Sequence, residues 1–134
     1  MALRMECVQG LHDARVRGLT GIYTAKGYTA WCNPDGEKNR VHNDGYPDVT
    51  VKLKNEDSYY VFGVETADSI TQAQAEAQWK DYSCAFQHWY LAVPAGQEET
   101  AQELLEDNGI ANCTVVSWNA NEWGGYTFSG LPGV

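Results

Sequence analysis

The chain has no lysine or arginine after Lys80. All nine basic residues lie in positions 1–80, beside eleven acids, whereas positions 81–134 carry seven acids and no base. The formal net charge is −9. A protein of that sign repels a phosphate backbone at long range, which disfavours nucleic acid as a partner. A local basic face is still open to the first part of the chain, through Arg4, Arg15, Arg17, Lys26, Lys38, Arg40, Lys52 and Lys54. Long apolar runs are missing too. A stretch such as "WYLAV" is far too short to span a bilayer, so no membrane association is expected. The opening "MALRMECVQGLHDARVRG" lacks a continuous apolar core and a small-residue cleavage site, so no signal peptide is read and a cytoplasmic location is expected. No two of Cys7, Cys32, Cys84 and Cys113 lie within four residues of each other, so the spacing of a zinc site is absent. Without an export signal these thiols are expected to be small buried hydrophobes and not disulfides. His12, His42 and His88 are equally scattered, and their spacing does not suggest a histidine metal site. No repeat or low-complexity tract interrupts the chain.

What is present suits one domain over residues 1–134. The chain is 43% hydrophobic and 12% aromatic, enough for a core of its own. Val8, Leu11, Leu19 and Ile22 fall near helical spacing over roughly 3–25, although Gly10, Gly18 and Gly21 each cost about 1 kcal/mol against Ala. Gly27 can end that helix. "YTAWC" (28–32) reads as a short strand, and "NPDGE" and "HNDGYP" as turn chemistry. "DVTVKLK" (48–54) alternates, with Val49, Val51 and Leu53 on one side. "YYVFGVET" (59–66) has the β-branched and aromatic content of a strand, and "NEDS" between the two is a common hairpin length. In "DSITQAQAEAQWKDYSCA", Ser69 and Gln72 suggest a capping box, and Ala75, Trp79, Tyr82 and Phe86 form one apolar face. "HWYLAVP" (88–94) reads as a buried strand, "QEETAQELLEDNG" as a helix with an Asn-Gly stop, and "CTVVSW" (113–118) as a last strand. The fold class is therefore α/β, a mixed central sheet in α-β-β-β-α-β-α-β order flanked by helices. The core covers about 5–118. An aromatic, glycine-rich extension, 119–134, can add a hairpin or pack against a partner.

Two acids stand out in "YPDVTVKLKNEDSYYVFGVETAD". If Lys54 opposes Tyr59 across a four-residue loop, Asp48 faces Glu65 directly, on one face and with β-carbons roughly 4.5–5.5 Å apart. A one-residue slip would separate them. Two bare carboxylates at that distance repel; a divalent cation removes the repulsion, and oxygen ligands plus waters suit Mg²⁺. Gly63 leaves space on the same face.

With "PDV" at 47–49, "GVETA" at 63–67 and "QWKDY" at 78–82, the chain resembles the PD-(D/E)xK nuclease superfamily, in particular its RecB-like branch with a QxxxY motif. The likeness covers roughly residues 5–95 and includes the element order of the restriction-endonuclease-like fold. Small stand-alone members of this kind occur in phage and mobile genetic elements. The resemblance implies phosphodiester hydrolysis of DNA or RNA with Mg²⁺ or Mn²⁺. It implies that Asp48, Glu65 and the Thr66 backbone carbonyl ligate the metal, and that Gln78 and Tyr82, one helical turn apart, face the substrate. It also implies an acid from the first helix, Glu6 or Asp13.

The departure is Ala67, where the superfamily pattern has a lysine. Lys80 lies about 200° around the helix from Gln78. Lys52 is four residues, or roughly 13 Å, along the strand from Asp48. Neither replaces the lysine comfortably. The alternative is thus a catalytically inactive module of the same fold, binding a protein, a ligand or a second copy of itself through tail aromatics such as Trp118, Trp123, Tyr126 and Phe128. A weaker third reading is an acidic mimic of nucleic acid, based on the acidic second part.

Overall fold

The computed structural model describes residues 6–32, 48–53, 59–120 and 126–133. The turns expected at "NPDGE" and "HNDGYP", the "NEDS" connector, the side chains of Glu6, Cys7 and Tyr126, and Arg4, Lys38, Arg40, His42, Lys54 and Trp123 lie outside the description. Helix α1 (Glu6–Ala25) comes first. The strands are β1 (Thr29–Cys32), β2 (Val49–Lys52), β3 (Tyr59–Val64), β4 (Trp89–Pro94), β5 (Cys113–Ala120) and β6 (Tyr126–Ser129). Helix α2 occupies 72–85, and α3 is Glu98–Asp107.

The strands form one six-stranded sheet in sequence order. β1, β2 and β3 pair antiparallel, β3–β4 and β4–β5 parallel, and β5–β6 antiparallel. The protein is therefore a small α/β domain with a mixed sheet. The helices take both faces. Val16, Leu19 and Tyr23 of α1 pack with Val49, Val51, Phe62, Val64, Ala92 and Val116 on one face. On the other, Trp79 and Tyr82 of α2 and Ala101 and Leu105 of α3 pack with Val61, Trp89, Leu91 and Val93. β3 is apolar throughout because both of its faces are covered, whereas β2 turns only Val49 and Val51 into the α1-side core.

Helix α1 runs through its three glycines because its buried face outweighs their helix cost. It stops where expected. Gly27 takes φ +90°, the Tyr28 N–H bonds the Tyr23 carbonyl at 3.0 Å, and the Gly27 N–H bonds that of Thr24. Gly109, at φ +70°, ends α3 in the same way.

Two expectations need correction. Ser69 does not cap α2. A 3₁₀ turn, Ala67–Ser69, intervenes, and Thr71 accepts the Gln74 N–H at 3.2 Å as N-cap. The Ser69 hydroxyl instead donates to Glu65, a stronger acceptor than any backbone group in reach. Among the tail aromatics, Trp118 and Phe128 also differ. Trp118 is 7% exposed, and Phe128 and Leu131 pack against the α1-side core. The Tyr23 and Tyr28 hydroxyls donate to the carbonyls of Pro132 (2.7 Å) and Gly133 (3.0 Å), tying the chain end to the domain. No helix among the described residues is long and apolar enough to cross a membrane.

Candidate active site

Asp48 immediately precedes β2, and Glu65 immediately follows β3. The hairpin register places them differently from the expectation. Val49 pairs with Phe62 and Lys52 with Tyr59, a shift of two residues. The paired residues thus leave 53–58 between the strands, and not four residues; on the other side of β3 the Glu65 N–H bonds the Ala92 carbonyl of β4 at 2.9 Å. A two-residue shift keeps backbone parity, so the two acids are diagonal and not opposite neighbours, and the Asp48 carboxylate turns to the Val64 N–H and to His12 of α1. Such diagonals lie roughly 7–8 Å apart. The Asp48 side chain continues the pairing that its backbone leaves, with Oδ2 accepting the Val64 N–H at 2.8 Å.

Both carboxylates are buried, Asp48 at 7% exposure and Glu65 at 1%. Glu65 Oε2 accepts the Ser69 hydroxyl at 2.5 Å, and Oε1 accepts the Gln74 amide at 2.9 Å. The same Gln74 Nε2 donates to Gln78 Oε1, and Gln78 Nε2 donates to Tyr82 Oη at 3.3 Å. This chain fixes both amide orientations. Glu65 can only accept, so Gln74 must present nitrogen to it, and Gln78 must then present oxygen to Gln74. The helix is built for it: residues Ala75–Trp79 form a π turn, with the Lys80 N–H bonding the Ala75 carbonyl. In a regular α-helix a spacing of four overshoots one turn by about 40°. A wider turn brings positions 74, 78 and 82 closer to one line.

Tyr82 closes the cluster. The Asp48 backbone N–H and the Gln78 amide both reach its hydroxyl oxygen. Burial pushes the phenol well above its usual range, and the negative charges of Asp48 and Glu65 push it further. Tyr82 is therefore a neutral donor at ordinary pH. Its ring fills the space opened by Gly63, where an added Cβ would sit 2.9 Å from Cε2. Asp48, Glu65, Gln78 and Tyr82 are thus brought together. The Thr66 carbonyl, expected as a ligand, accepts the Ser69 N–H at 3.1 Å inside the 3₁₀ turn.

Three residues of the cluster escaped the sequence reading. His12 Nε2 lies 3.3 Å from Asp48 Oδ2, and its Nδ1 lies 3.1 Å from Asp13 Oδ1. Asp13, one of the two expected first-helix acids, thus pairs with His12, which in turn reaches Asp48. No spacing could reveal His12, whose partner is 36 residues away. The remaining signal is its helical phase with Val16, Leu19 and Tyr23. Gln74 and Ser69 are the other two. The Gln74–Gln78–Tyr82 spacing of four was the available sign of Gln74.

Among the described residues no group of three or more His, Cys, Asp or Glu side chains is arranged to hold a metal ion. Mg²⁺ does not require one, since one or two carboxylates commonly hold it while waters and substrate phosphate oxygens complete the octahedron. Asp48 and Glu65 are hard oxygen donors of that kind. Gln74 Oε1, buried and without a hydrogen-bond partner among the described residues, leaves an oxygen open on the amide that touches Glu65. The donor set suits a hard divalent cation. Among the described residues Cys84 and Cys113 are free thiols.

The comparisons with known proteins leave the site to be judged on this geometry: no protein-family model matches the chain, and no curated protein matches it in sequence.

Proposed function

We propose that the chain is a PD-(D/E)xK-type hydrolase, of restriction-endonuclease-like arrangement, that cleaves phosphodiesters in DNA or RNA with Mg²⁺ or Mn²⁺. One observation carries the reading: Asp48, Glu65, Gln78 and Tyr82, drawn from three separate segments, meet in one buried polar cluster beside the carboxyl end of a parallel strand. Ligand sites in open α/β sheets lie outside such strand ends. Asp48 and Glu65 would hold the cation, which when bound polarises the phosphodiester and lowers the pKa of an attacking water. Ser69 and Gln74 orient Glu65, and His12 and the Val64 N–H orient Asp48. Gln78 and the neutral Tyr82 hydroxyl face the substrate as hydrogen-bonding groups. The water oxygen forms a new bond to phosphorus as the ester oxygen leaves and is protonated.

The test is cleavage of single- and double-stranded DNA and RNA with and without Mg²⁺ or Mn²⁺. Metal-dependent cutting that Glu65→Ala abolishes is the expected result. Metal-independent cutting, or cutting untouched by that substitution, contradicts the proposal. A second reading, a binding module without catalysis, is favoured by Ala67, which is exposed on its 3₁₀ turn and brings no positive charge to the phosphate.

A further inference from the structure

We propose that Arg15 supplies the positive charge that position 67 lacks, by contacting the substrate phosphate at the Asp48–Glu65 site. The inference rests on the hydrolase reading above. Among the described residues Arg15 is the buried cation, at 7% exposure, whereas Arg17, Lys26 and Lys80 are exposed and Lys52 is half-buried. Its place is bracketed from two sides. One helical turn before it on the same buried face of α1, His12 touches the Asp48 carboxylate. On the other side, the Arg15 guanidinium carbon lies 4.6 Å from the centroid of the Trp118 ring, and the Trp118 indole N–H donates to the Glu65 backbone carbonyl at 3.4 Å. Arg15 thus stands beside groups that each contact one of the two carboxylate residues.

The chemistry fits a phosphate. A guanidinium is always charged, stacks on aromatic faces and presents a planar fork matched to phosphate oxygens. Stacking on Trp118 fixes the plane of that fork before substrate arrives, which lowers the ordering cost of binding. Lys52 on β2 is half-buried and Lys80 on α2 is exposed. The cation comes instead from the opposite layer, which pattern along one element does not reveal.

The experiment uses the full chain and a fluorescein-labelled single-stranded DNA. Binding is followed by anisotropy in Ca²⁺ across a salt series, and single-turnover cleavage is followed in Mn²⁺. Arg15→Gln is expected to cleave about a hundredfold more slowly and to lower the slope of log affinity against log salt by about 0.7, the value of one lost phosphate contact. Arg15→Lys keeps the slope and recovers part of the rate. Lys80→Gln, on the exposed side of α2, changes neither. Arg15→Met retains the packing stem and replaces Arg15→Gln in both measurements if circular dichroism shows the latter unfolded. A wild-type slope in the charge-removing variant overturns the inference, whatever its rate, because a merely structural arginine loses no phosphate contact. Normal cleavage by that variant overturns it and leaves the hydrolase reading standing. If the wild type binds but does not cleave, the slope alone decides for or against Arg15. A wild type that neither binds this DNA nor cleaves any of the single- and double-stranded DNA and RNA substrates overturns both.

Discussion

The Tyr82 ring lies where a side chain at position 63 would be, and it makes T-shaped contacts with Trp89 and Phe86 at centroid distances of 5.2 and 5.7 Å. Gly63→Ala must therefore push the ring off β3, because a rigid aromatic packed on three sides cannot give way cheaply. The expected cost is about 1–3 kcal/mol in urea denaturation, with a loss of cleavage larger than the loss of stability explains. Tyr82→Phe separates the two effects. It keeps the ring but leaves the buried Asp48 N–H and the Gln78 amide without their shared acceptor, at about 1–3 kcal/mol. At this scale the sequence was half legible. Asp48, Glu65, Gln78 and Tyr82 stand in short motifs that can be read directly. Ser69 carries a competing local meaning as a cap, and His12 meets Asp48 only through the tertiary fold.

Element by element, the pattern of the chain is easier to read. The helix stops at Gly27 and Gly109, the apolar face Ala75–Trp79–Tyr82–Phe86 and the buried strand β4 all follow from local chemistry. The β2–β3 register does not. Turn composition limits a loop length without fixing it, and a two-residue shift keeps the same apolar faces, so the pattern alone does not choose between the registers. The π turn within α2 is equally silent in a sequence rich in alanine. Two substitutions check the account of these elements. Gly21 is exposed in the interior of α1, with nothing within 4 Å of an added Cβ, so Gly21→Ala should raise stability by about 1 kcal/mol in the same urea experiment. Gly133 is the opposite case. At φ +73°, with a Cβ meeting Tyr28 Oη at 2.8 Å, it cannot accept a side chain without releasing the Tyr28–Gly133 hydrogen bond. Gly133→Val should therefore lower the urea midpoint relative to the wild type.

Across the whole molecule, the two helix layers enclose phenols that burial keeps protonated. Tyr23 and Tyr82 are both raised above their usual value of 10.0, chiefly by burial, and burial also raises the Cys113 thiol. Groups that bind protons more tightly when folded contribute stability that is whole below their unfolded pKa and is lost as pH rises above it. Stability should thus fall above about pH 10, by at most about 1.4 kcal/mol per pH unit for each buried phenol. Tyr82→Phe should flatten that fall by one phenol's share in urea midpoints measured across the range. The acidic balance of the chain acts in the same direction, since a net charge of −9 repels itself more as further groups ionise.

The same net charge makes metal binding the most direct test of the site. A divalent-cation titration followed by thermal melting, wild type against Asp48→Ala, asks whether the two buried carboxylates form a ligand pair. A cation at a hundred times its dissociation constant stabilises the folded state by about 2.7 kcal/mol, several degrees in Tm for a domain of this size. The account predicts that rise with Mg²⁺ or Mn²⁺ in the wild type and its loss in Asp48→Ala. No rise in the wild type, or an equal rise in both proteins, would contradict it.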